Sequence, residues 1–114
     1  MAALVATSPT NTGTVTAGAA VAASDTVAQS LLGKGGAYLR INNGNAGSDN
    51  ITLSDNGLTP AGNALTSNQI TDTITTGQAQ IYFLRNEQVN PSTQLITITH
   101  SVTSSVTYEL FPLP

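Results

Sequence analysis

Apolar and polar side chains alternate along much of the second half of the chain. In residues 37–42 (AYLRIN), Ala37, Leu39 and Ile41 fall on one side of an extended segment, and Tyr38 and Arg40 fall on the other. A period of two marks a half-buried strand. Residues 51–54 (ITLS) resume it with Ile51 and Leu53, and residues 69–76 carry Ile70 and Ile74 among threonines before Gly77 ends the run. Residues 80–84 (QIYFL) are almost continuously apolar, which reads as a strand covered on both faces. LITIT at 95–99 and VTYELF at 106–111 predict two more strands. Between them lie NNGNAGSDN, DNGLTPAGN and RNEQVNPST, dense in the residues that make turns.

The first third is less regular. In residues 14–23 (TVTAGAAVAA), Val15 and Val21 favour a strand, the alanines would suit a helix, and Gly18 weakens either. Residues 24–32 have two readings. One is a short helix with Ser24 as N-cap and Gly33 just past its end. The other, which is favoured, is an irregular strand running into the GKGG turn at 33–36. Residues 1–13 have little periodicity, with Pro9 and Gly13 as breaks. They read as an extended N-terminal arm, or as a loose terminus. The expected organisation is an arm at 1–13 and a single β-sandwich domain at 14–114. The class is all-β: an antiparallel sandwich or barrel of seven to eight short strands. No βαβ spacing calls for a parallel sheet.

Composition narrows what such a domain can do. Charged residues make up 8% of the 114 residues, against roughly 25% in an ordinary soluble domain. Short uncharged side chains take their place, and a surface of that kind can be laid against another protein without stripping water from ions. Large side chains are scarce, with aromatics at 4%, so assembly with other subunits would supplement a modest core. Net charge is −3, and Lys34, Arg40 and Arg85 are the only basic residues. Phosphate neutralisation needs clustered Lys and Arg, so neither nucleic acid nor an anionic membrane is an expected partner. There is no cysteine, which excludes disulfides and thiolate metal sites. The start of the chain lacks a basic segment of the secretory type, and no apolar run approaches a membrane span.

Candidate chemistry is thin. His100 is the single histidine and ends the LITITH segment, where it reads as a surface residue; nothing around it resembles a nucleophile elbow. Asp49 and Asp55 lie in turn-rich stretches and read as turn formers, and DNITLSDNG lacks the ligand spacing of a calcium loop. GKGG lacks the spacing of a phosphate-binding loop and reads as a hairpin turn. No catalytic residue, cofactor or metal site is assigned. The five aromatics, Tyr38, Tyr82, Phe83, Tyr108 and Phe111, are expected mainly in the core. Tyr38, opposite Leu39 and Ile41, is the best candidate for an exposed contact residue.

The succession YLRINNG, ITLSDNGLTPAG, DTITTGQ, NPSTQLITITHS and VTSSVTYELF resembles small head proteins of tailed bacteriophages, of the capsid decoration or cement type. The likeness covers roughly residues 37–111 and does not extend to the Ala-rich segment before Gly33. It implies a sandwich or barrel with jelly-roll character on the outside of a phage head, made in the host cytoplasm. It implies a homotrimer bound to the major capsid protein, and no enzymatic activity. Asn43, Gly44, Gly57, Pro60, Gly62 and Gly77 match the turn pattern and take structural roles. Leu4 and Val5 in the arm, Tyr38, and Phe111 with Leu113 near the other end are the candidate partner-binding residues. Two other functions remain open. One is a carbohydrate-binding or adhesin-like module of a tail, fibre or cell surface, which an exposed aromatic pair flanked by Asn or Asp would favour. The other is a small hydrolase, which would need His100 and two carboxylates to converge in a cleft.

Overall fold

The computed structural model describes residues 2–7, 18–55 and 69–113. The chain is a two-layer β-sandwich of nine strands. In order they are β1 (Ala2–Ala3), β2 (Ala19–Ala20), β3 (Ser24–Ala28), β4 (Ala37–Asn43), β5 (Asp49–Ser54), β6 (Gln69–Ile74), β7 (Ala79–Leu84), β8 (Leu95–His100) and β9 (Val106–Pro112). One sheet has five strands in the order β1-β3-β8-β5-β6, and the other has four in the order β2-β9-β4-β7. Among the described strands, only β5 and β6 follow one another within a sheet; every other step crosses the sandwich. The all-β sandwich expectation holds, with two two-residue strands added. One departure is the pair β1–β3, which is parallel.

Alternation builds the core as the sequence leads one to expect. Ala37, Leu39 and Ile41 of β4 and Val106, Tyr108 and Leu110 of β9 point inward from the smaller sheet. Val27, Ile51, Leu53, Ile96 and Ile98 meet them from the larger one. Residues 24–32 resolve in favour of the strand, β3, closed by a single 3₁₀ turn at Gln29–Leu31. GKGG is a tight hairpin, with Gly33 and Gly36 exchanging two backbone hydrogen bonds of 3.0 Å. The end of the chain lies against it: the Leu113 N–H donates to the Gly36 carbonyl at 2.9 Å. A Cβ on Gly33 would fall 1.2 Å from the Leu113 oxygen, so only glycine admits this approach. Residues 56–63 of the DNGLTPAGN loop, with Gly57, Pro60 and Gly62, lie outside the described residues, as do the larger part of the arm and residues 14–17.

Two contacts tie the sheets together at opposite edges. At one, the described part of the arm crosses the seam. The Leu4 N–H donates to the Thr26 carbonyl of the large sheet, and the Thr7 N–H donates to the Leu110 carbonyl of the small one. Between them the Val5 N–H donates to the Tyr108 hydroxyl at 2.9 Å. Leu4 is consequently buried in the core of its own chain, a correction to its expected role as an anchor on a neighbour. At the opposite edge the Tyr82 hydroxyl of β7 donates to Asp72 Oδ2 of β6 at 2.7 Å.

Candidate interaction face

The outer face of the small sheet is built in three rows by strand register. Phe83, Tyr38 and Phe111 lie side by side across β7, β4 and β9. Ile81, Arg40 and Glu109 form the next row, and Ala79, Asn42 and Thr107 the third. Ile81 is 64% exposed, Phe83 50% and Tyr38 45%, while Phe111 is half-buried. The Tyr38 and Phe83 rings pack at 5.8 Å between centroids with planes tilted by 50°. This is an edge-biased aromatic pair of the favourable kind. The face carries no uncompensated charge, because Arg40 Nη1 donates to Glu109 Oε1 at 3.1 Å.

The expectation that QIYFL is covered on both sides is thereby overturned. The described strands make two layers, so each sheet has one face turned outward, and Ile81 and Phe83 of β7 are exposed on it. The expectation that the aromatics lie mainly in the core holds for Tyr108, which is buried, and in part for Tyr82, which packs against the core, but not for Tyr38, Phe83 and Phe111; aliphatic residues fill most of the interior. Tyr38 is exposed as its alternation predicts. Val5 is also exposed, at the arm edge, and Leu113 is half-buried beside the GKGG hairpin. The structure therefore brings Tyr38 and Phe111 together on one face, adds Phe83 and Ile81 to them, and leaves Val5 apart.

The outer face of the large sheet has the opposite character. Register aligns Ser24, Thr99, Thr52 and Thr71 in one row across four strands. Asn50 and Thr73 pair in the next, where the Thr73 hydroxyl donates to Asn50 Oδ1 at 2.8 Å. Beside β6 a shallow open groove of about 510 Å³ is lined by Asn50, Ile51, Thr52, Thr71, Asp72 and Thr73. Hydroxyls and amides suit this side to water. No aromatic ring stands in that groove on which a sugar could stack.

His100 lies where the sequence reading did not place it. It is a buried residue on the inner face of β8, continuing the parity of Ile96 and Ile98. Its Nδ1 is 2.6 Å from Asp49 Oδ2 on β5, and its Nε2 is 3.8 Å from Asp25 Oδ2 on β3. The three side chains are 2%, 0% and 1% exposed. The carboxylates are held by backbone as well. Asp49 Oδ1 accepts the Ser101 N–H at 3.0 Å, and both Asp25 oxygens accept the Ala22 N–H at 3.2 and 3.1 Å. Asp49 is thus no turn former: it opens β5 and fastens the β8–β9 connection. With all three groups sealed from solvent, a substrate has no approach to the imidazole. The cluster pins three neighbouring strands at one end of the core. Among the described residues, no group of three or more His, Cys, Asp or Glu is arranged to hold a metal ion.

The described residues thus form an all-β sandwich with exposed aromatic and aliphatic side chains on one outer face and hydroxyls and amides on the other. No family model, curated protein or solved structure matches the chain.

Proposed function

We propose that this chain is a non-enzymatic structural protein of a virion, a decoration or cement protein that lies on the outside of a tailed-phage head and bridges major capsid subunits. The observation that carries the proposal is the exposed Tyr38–Phe83–Ile81 patch, on a sheet face where the described charges, Arg40 and Glu109, are paired with each other. Contiguous apolar surface of this kind marks interaction sites. Burying it against a neighbour removes apolar area from water and strips no free ion, since Arg40 and Glu109 already compensate each other. The hydroxyl-covered face would then look outward to solvent. The choice of a capsid as partner rests on the resemblance of residues 37–111 to phage cement proteins.

The test is occupancy on purified heads built from the capsid protein encoded with this chain. Tyr38→Ser and Phe83→Ser together remove two half-exposed rings, each contributing about 1 kcal/mol or more on burial. Head affinity is expected to fall at least about tenfold while the melting temperature changes little. Unchanged occupancy would discard the face. The exposed aromatic pair is the one feature that speaks for the carbohydrate-binding alternative, but Phe111, Ile81 and Arg40 flank it, not Asn or Asp. Binding to cell-surface polysaccharide without binding to heads would replace the capsid reading with that one.

A further inference from the structure

We propose that β7 is a self-pairing edge, by which two copies of this chain join their small sheets into one antiparallel eight-stranded sheet. The backbone pattern shows which groups are free. The Asn43 N–H donates to the Gln78 carbonyl, and the Gly44 N–H donates to the Ser105 carbonyl. Along β4, odd-numbered residues therefore turn their N–H and C=O toward β7, and even-numbered ones toward β9. By the register of β4 with β7, Gln80, Tyr82 and Leu84 are bonded to β4. Ala79, Ile81 and Phe83 direct their backbone groups away from it, at the end of the sheet.

Edges of this kind are ordinarily blunted by charge, proline or shortness. Among the described strands, β1 and β2 are two residues long, and β6 carries Asp72. β7 has none of these devices: AQIYFL contains no charge, no proline and no glycine. The occupant that fits is a second β7. A two-fold axis normal to the sheet at Ile81 sets Ile81 opposite its own copy and Phe83 opposite Ala79, a large side chain beside a small one. All the free N–H and C=O groups then find partners, and no like charges meet. The same axis keeps both outer faces on one side, so two Tyr38–Phe83–Phe111 clusters merge into one surface. This two-fold assembly differs from the three-fold one that the resemblance implies, and it does not depend on what that surface binds.

The mass in solution, by sedimentation equilibrium, reads the outcome. The native chain is expected to be a dimer, and Ile81→Lys, which places two ammonium groups across the axis, is expected to weaken dimerisation at least about tenfold. Ile81 is exposed, so the variant should keep the far-ultraviolet spectrum of the native fold. A second arm uses the absence of native cysteine. Opposed residues in this register have Cα atoms about 5.5 Å apart, so Ile81→Cys should be joined to its copy by a short bis-maleimide, and Thr71→Cys on β6 should not. A monomer, a trimer, or a dimer that survives Ile81→Lys and fails to cross-link at 81 would overturn the proposal. A dimer that passes both arms yet leaves heads undecorated supports it and sinks the capsid reading alone.

Discussion

Asp49→Ala is the sharpest perturbation of the fold. The carboxylate is fully buried, contacts His100 Nδ1 at 2.6 Å, and accepts N–H bonds from Ser101 at 3.0 Å and Val102 at 3.4 Å. Removing it strands an imidazole that is 2% exposed and takes the acceptor from the Val102 N–H, while the Ser101 N–H keeps its bond to the Asn50 carbonyl at 3.1 Å. Breaking a buried pair by deleting one partner costs roughly 3–5 kcal/mol. About 4 kcal/mol is the working figure. That is a large part of a typical stability of about 5–15 kcal/mol. Urea unfolding followed by far-ultraviolet circular dichroism should show the midpoint drop with little change in slope, and thermal melts should fall by roughly 16 °C. Asp49→Asn should cost less, because an amide oxygen can still accept from Ser101 while its NH₂ faces the ring. In Asp49→Ala/His100→Ala the stranded partner is gone, so the double loss should fall short of the summed single losses by at least about 1 kcal/mol. A loss under about 1 kcal/mol for Asp49→Ala, or strict additivity in the double variant, would refute the claim that the pair fastens β5 to β8.

Two further outcomes follow from the ties at the sheet edges. Leu4→Ala should cost about 2–5 kcal/mol in the same urea assay, whereas its exposed neighbour, in Val5→Ala, should stay within about 0.5 kcal/mol of native; equal effects would mean that the arm is not part of the core. Burial, reinforced by the hydrogen bond to Asp72 and that group's charge, pushes the Tyr82 phenol above its ordinary value of 10.0. A raised value means that the folded state favours the neutral phenol. Its stabilising contribution is complete below pH 10 and is lost as pH climbs through the folded-state value. The phenolate absorbance of the native chain minus that of Tyr82→Phe should therefore stay flat through pH 10 and rise only at more alkaline pH; a rise centred at 10 would contradict the partial burial of the ring and its bond to Asp72.

Much of the sandwich was legible because β4, β5, β8 and β9 have clean alternation, and parity alone assigns Leu39, Ile41, Leu53 and Ile98 to the interior. The same parity held the missed cluster. His100 is two residues past Ile98, Asp49 two before Ile51 and Asp25 two before Val27, so each shares an inner face with its aliphatic neighbour. Strands read as 51–54 and 95–99 stop short of Asp49 and His100, and Asp25 lies inside the irregular 24–32 segment, where no alternation marks an inner face. QIYFL failed for a different reason. A continuous apolar run fits a strand covered on both faces and a strand of a two-layer sandwich whose outer side chains stay exposed, and only the layering separates the two. Leu4 was missed because a two-residue strand is too short to show any period. For the contact face, the sequence marked Tyr38 and Phe111, but their adjacency to Phe83 is a matter of register across three strands.

The crossing of Leu4 and Thr7 from one layer to the other has a mechanical meaning. Residues 4–7 work as a strap whose two ends are held by the Thr26 carbonyl on one layer and the Leu110 carbonyl on the other. The halves cannot part on that side until one end of the strap lets go.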